Sequence, residues 1–127
     1  MTTTGVLVLF ILFLTKHFVI DFLCQNEYQW SHKHIWMHPG GQIHAGLHMI
    51  GTAVILLTTP YLPYDMAIVL GMYDGAIHYL IDFAKMNINI YKKWTPSNPQ
   101  FWYLTGLDQF LHYLTYCAIS WYIISVN

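Results

Sequence analysis

One stretch, Asp74–Asp82 (DGAIHYLID), restricts the folds open to this chain more than any other. Asp74, His78 and Asp82 stand at i, i+4 and i+8, so on a helix they form a single polar stripe. Ile77, Leu80, Ile81 and Phe83 surround that stripe, and the apolar run Ala67–Met72 precedes it. A helix of this kind must turn two carboxylates and an imidazole toward groups that satisfy them. Three other apolar segments carry matching pairs: His17 with Asp21, His44 with His48, and Asp108 with His112.

The medium around these segments follows from charge. Of 127 residues, 9% are charged and 56% hydrophobic, against roughly 25% charged in a soluble domain. The pattern predicts an all-α integral membrane four-helix bundle, one domain over 1–127, with spans near 5–25, 42–59, 64–86 and 101–125. The first apolar run has neither a basic leader nor a small-residue cleavage site, and Asp21 lies inside it, so it reads as a span and not a signal peptide. Net charge is −1 and arginine is absent, which excludes a basic nucleic-acid surface. Cys24 and Cys117 fall in different spans at different depths, so no disulfide is expected.

Between the spans, residues 26–39 and 87–99 are polar and aromatic loops, with Tyr28, Trp30, Trp36 and Trp94 suited to an interfacial belt. His32, His34 and His38 have the look of a metal-binding tract, but read first as solvated loop histidines. Lys16 is expected to reach toward headgroups, and Lys85 either to snorkel in the same way or to bind an anionic headgroup. Gly46, Gly51 and the Gly71/Gly75 pair are expected to allow close helix contact. The short connection through Pro60 and Pro63 makes the second and third helices antiparallel neighbours. Lys33, Lys92 and Lys93 lie in the long loops, which the positive-inside rule places in the cytoplasm with both termini outside.

Depth ties the pairs together. At about 1.5 Å per residue, all four fall roughly 4 to 16 Å from the long-loop side, although chain direction alternates between helices. Asp74 lies deeper, as a proton relay or general base, a partner of His78 or a neutral buried acid. The candidate metal ligands are therefore His17, Asp21, His44, His48, His78, Asp82, Asp108 and His112. Imidazole with carboxylate suits one or two ions of zinc, iron or manganese, with some of the aspartates accepting a proton from a ligand histidine. Gln25 and Gln109, within a turn of the pairs, are placed to orient water or substrate or to bond between helices.

HFVIDFLCQ, HAGLH, HYLIDFAK and LDQFLH, in that order, resemble a family of small bacterial and phage membrane proteins classed as a domain of unknown function. The matching residues are His17, Asp21 and Gln25; His44 and His48; His78, Asp82 and Lys85; Asp108, Gln109 and His112. The layout is more distantly similar to LexA-regulated inner-membrane proteins assigned as metal-dependent hydrolases, and that resemblance implies a bacterial inner-membrane location and a reaction class. The expected activity is metal-dependent hydrolysis of a lipid or another membrane-accessible substrate. Asp21, Asp82, Asp108, Gln109 and Lys85 are the candidate catalytic groups. A di-iron oxidase, a metal or proton transporter and a structural membrane subunit are the alternatives. The bilayer is the expected partner, with a homo-oligomer or a larger membrane complex compatible with the size.

Overall fold

The computed structural model describes residues Met1–Asn127, all of them in helices, turns and loops with no strand. Helix α1 (Thr3–Phe18) runs directly into a wider π segment, Val19–Leu23, closed by the i→i+5 hydrogen bond from Cys24 N–H to the Val19 carbonyl. A short α2 (Glu27–Trp30) follows, then α3 (Pro39–Leu57), α4 (Tyr64–Lys92) and α5 (Pro99–Ser125).

Local chemistry sets the ends. Thr2 accepts from Gly5 N–H, and Asn26 with Gln29 forms a reciprocal capping box. Pro39 and Pro99 occupy first-turn positions, where their missing N–H costs nothing. Lys93 turns left-handed (φ 56°) and stops α4. Met37 is also left-handed (φ 57°), and its N–H donates to the Tyr79 hydroxyl at 2.7 Å.

Each long helix packs on two neighbours in the ring α1–α3–α4–α5. The α3–α4 contact is the most extensive because two glycines leave no room for a side chain. A methyl group on Gly71 would meet the Met49 carbonyl oxygen at 2.7 Å, and one on Gly75 would meet the Ala45 carbonyl oxygen at 2.9 Å. Gly51 plays the same part for α1, since a methyl there would lie 2.9 Å from the Lys16 stem. Gly46, expected at a helix contact, faces open space instead.

The interior is polar and the surface apolar. Buried residues include fifteen polar or charged side chains and nine hydrophobic ones, while leucines, isoleucines and aromatics such as Leu7, Ile11, Phe22, Ile50, Ile68 and Phe110 lie exposed. Three helices are long and apolar enough to cross a membrane: Thr3–Leu23, Pro39–Leu57 and Tyr64–Lys92. These features mark a membrane protein. α5, expected as a fourth span, is not among the three, because Asp108, Gln109, His112 and its many tyrosines lower its hydropathy. The helices also outrun the expected spans: α4 continues past residue 86 to Lys92, and α3 begins at Pro39.

Two zones divide the interior. Toward the termini, Leu9, Phe13, Leu56, Ala67, Tyr116, Ile119 and Ile123 form a dry core. Toward the long loops lie the histidines and aspartates.

Candidate metal centre

α4 supplies the axis of the polar zone: Asp74, His78 and Asp82 are all buried on its inner face. The π segment supplies Asp21, α3 supplies His44 and His48, and α5 supplies Asp108 and His112. A wider turn opens just after His17, a common feature of functional sites, and Asp21 still lies within 3.3 Å of His17 at i+4.

Asp21 is the focus. Its Oδ1 lies 2.8 Å from His48 Nε2, 3.2 Å from His44 Nε2 and 3.6 Å from His78 Nε2. Its Oδ2 lies 3.3 Å from His17 Nε2. Asp82 makes the second junction: Oδ2 is 3.3 Å from His78 Nε2 and 3.5 Å from His44 Nε2, and Oδ1 is 3.8 Å from His112 Nε2. Asp108 Oδ1 is 3.5 Å from the same His112 nitrogen. His48, His78 and His112 stack face to face, with centroids 3.5 and 3.9 Å apart. Three sets of groups stand close enough to share an ion: His17, Asp21, His48 and His78; His44, His78 and Asp82; Asp82, Asp108 and His112. All eight residues singled out as ligands thus meet in one place, with Asp82 common to two of the sets.

The donor set suits a divalent ion of the zinc, iron or manganese type. His44 and His78 point their Nε2 atoms at each other across 3.1 Å, and the Nδ1 atoms of His44, His48 and His78 are buried with no hydrogen-bond partner. His17 differs from them. Its Nε2 lies 2.9 Å from Gln109 Oε1 and its Nδ1 2.9 Å from the Tyr116 hydroxyl. With Oε1 as acceptor, Nε2 carries the proton and Nδ1 accepts from Tyr116.

Charge is distributed unevenly. Lys16 Nζ lies 2.6 Å from Asp74, Lys33 Nζ 2.6 Å from Asp82, and Lys85 Nζ 3.1 Å from Asp108. Asp21 is the one interior carboxylate without an ammonium partner. Several expectations change here. Lys16 does not reach headgroups: it is buried, bonded to Asp74 and Thr52, with its ammonium 4.6 Å above the Tyr116 ring. Asp74 is therefore the partner of Lys16 and Thr52, not of His78. Lys85 turns inward to Asp108 instead of simply snorkelling. Gln25 bonds within its own segment, donating to the Asp21 carbonyl, whereas Gln109 bridges His17 and Asp108.

Lys33 was the residue hardest to find from sequence. It belongs to a loop that folds back over the centre, tied down by Asn87 donating to the His34 carbonyl, and nothing in the loop's composition signals that path. Tyr116 was findable, since Asp108, His112 and Tyr116 repeat the i, i+4, i+8 stripe of α4. In the same loop His32 and His38 stack at 4.2 Å. Desolvation, with His32 and His34 nearby, holds His38 below the ordinary histidine value. Cys24 and Cys117 are free thiols, as expected.

The chain belongs to the family described as Protein of unknown function (DUF3307), whose model matches residues 9–127. No curated protein and no solved structure matches it.

Proposed function

We propose that this protein is a four-helix integral membrane metalloprotein whose His/Asp centre hydrolyses a membrane-accessible substrate. The observation that carries the reading is the convergence of three imidazole Nε2 atoms, from His44, His48 and His78, on Asp21 Oδ1. Three ammonium groups pair with Asp74, Asp82 and Asp108, and none reaches Asp21, whose carboxylate meets only imidazole nitrogens. Burying it without a cation is costly. A divalent ion among those imidazoles supplies that cation.

In this reading α5 is the fourth span. Its outer face carries Trp102, Leu107, Phe110, Leu114 and Trp121, all exposed. The two tryptophans are about 28 Å apart along the helix, close to the ~30 Å of bilayer hydrocarbon. On the positive-inside rule Lys33, Lys92 and Lys93 favour long loops in the cytoplasm and both termini outside, and the resemblance noted above supports a bacterial inner membrane.

His17, Asp21, His48 and His78 would hold one ion, with His17 exchanging Gln109 for it, and His44, His78 and Asp82 or Asp82, Asp108 and His112 would hold a second. A bound divalent ion supplies an acidified water and polarises a carbonyl or phosphoryl oxygen. Where it is not itself a ligand, Asp108 is suited to be the base, because its Oδ1 is buried without a hydrogen-bond partner. Lys85 and Gln109 both donate to Oδ2, which fixes the carboxylate plane. With no arginine, a phosphoryl group would depend on the metal and Lys85. The dry core beyond Tyr116 favours a site closed on one side over a transit path, since no carboxylate, ammonium or imidazole is buried beyond Asp74 among Leu9, Phe13, Leu56 and Ile119.

The test is elemental analysis of detergent-purified protein beside His48→Ala and Asp82→Ala. Stoichiometric zinc, iron or manganese in the parent, lost in both variants, is expected. Background metal in protein purified without chelator, persisting after reloading, would replace the reading with a proton-carrying or structural polar network.

A further inference from the structure

Two apolar grooves run along α4. The larger, against α3, has a volume near 650 Å³ and is lined by Trp36, Met49, Gly75 and Tyr79 among others, but by none of the His/Asp centre. The smaller, against α5, has a volume near 290 Å³. Its walls are Ile77, Leu80, Ile81, Ile88, Leu104, Leu107 and Leu111, and its two polar residues are Lys85 and Asp108. The walls open outward, since Leu80, Ile88, Leu107 and Leu111 are all exposed. This groove therefore joins the lipid-facing surface to the edge of the centre.

Lys85 gives the groove a charge preference. It is partly exposed, with side-chain accessibility of 21%, while Asp108 opposite is at 1%. The Lys85 ammonium makes one hydrogen bond, to Asp108, and has two further donors. Level matters as well. With 29 residues, α4 is about 43 Å long, so about 13 Å of it extends beyond a ~30 Å hydrocarbon layer. Its last turns, Asn87–Lys92, take up about 9 Å of that excess, which leaves Lys85 within a turn of the depth where headgroup meets acyl chain. From Ile77 to Ile88 the groove follows α4 for about 16 Å.

We infer that the α4–α5 groove seats an acyl chain of an anionic phospholipid from the surrounding bilayer, with the lipid phosphate on Lys85 and the ester region beside Asp108. This rests on the membrane hydrolase reading and gives its substrate class. An apolar trough selects the chain without selecting its length, whereas one ammonium at the headgroup level selects the anion over a zwitterion. The neutral or zwitterionic lipid leaves Lys85 on Asp108 alone.

The experiment is native mass spectrometry of the full chain released from detergent containing equal phosphatidylglycerol and phosphatidylcholine of identical chains, with metal content measured on the same samples. The parent is expected to retain phosphatidylglycerol by about tenfold over phosphatidylcholine, the order of one charge-assisted contact. Lys85→Gln should abolish the preference and Lys85→Arg should keep it. Leu107→Trp, which fills the trough from an exposed wall position, should lose both lipids while retaining metal. Equal retention of the two lipids by the parent, or unchanged preference in Lys85→Gln, would overturn the inference, as would full retention in Leu107→Trp. Metal without lipid preference would sink the groove alone. Lipid preference without metal would sink the metal reading and leave the groove standing.

Discussion

Tyr116 divides the interior of this protein into two halves made of different materials. On the side of the termini, Leu9, Phe13, Leu56, Ala67, Ile119 and Ile123 pack without charge. On the side of the long loops, His17, His44, His48, His78 and His112 crowd around Asp21, Asp82 and Asp108. The same helices run through both halves, so helix propensity and ring topology are shared and only the inward side chains differ. The Lys16–Asp74–Thr52 cluster marks the border, with the Lys16 ammonium resting on the Tyr116 ring. In hydrocarbon the dry half gains little by burial, because lipid tails are as apolar as leucine, and it is held by packing. The polar half is held by pairing, and each group in it is costly once its partner is removed.

That contrast can be broken from either side. The largest expected effect is Asp21→Asn. Removing the charge on which three imidazoles converge should reduce bound metal to background, read by elemental analysis, while the dry half stays folded by circular dichroism. Next comes the border. Lys16→Met strands the Asp74 carboxylate and should cost about 3–5 kcal/mol, measured by unfolding in mixed micelles. Lys16→Met with Asp74→Leu should regain most of that loss, and a double variant as unstable as the single one would mean that the pair is not isolated from its surroundings. In the dry half, Leu56→Ala should cost about 1–2 kcal/mol. That lies below the 2–5 typical of a water-soluble core, because the transfer term is absent in lipid and the lost packing remains. Its metal content should match the parent's, and a loss of metal would show that the halves are coupled.

The smallest effect lies outside both halves. His38 caps α3 by accepting from Gly40 N–H through Nδ1 at 3.1 Å, which requires an unprotonated nitrogen. Its folded value is lowered, so the unfolded chain takes up the proton more readily. The cap's contribution is therefore present above the unfolded value of about 6.5 and is lost as pH falls below it. Protection of the Gly40 and Gly41 amides relative to their intrinsic exchange should fall below about pH 6.5, and His38→Asn, an uncharged cap, should remove that dependence.

Where the sequence could be read, the reason was periodicity. Asp74, His78 and Asp82, or Asp108, His112 and Tyr116, can share a face only if the segment is helical. An apolar flank then requires that face to turn inward. The tight α3–α4 contact was legible for a related reason, since Gly71 and Gly75 leave nothing between two backbones. Lys16 was misjudged because a lysine two turns from a helix end has two outlets, the headgroups or a buried acid. The choice depended on Asp74, which lies 58 residues away in the chain. Gly46 was misjudged because a glycine signals available space without saying what fills it.

The sequence alone determined that the chain is helical, that its surface is apolar, and that the four His/Asp pairs of its apolar segments point inward at a common depth. These are properties of residue type and spacing along single helices. Only the tertiary structure decided which carboxylate each lysine neutralises. It also decided that Asp21 has none, and that a loop lysine closes over Asp82. Pairing between helices depends on rotation about each axis and on the path of the loops. At Val19–Leu23 the helix opens into a single wider turn, and no feature of VIDFL announces it.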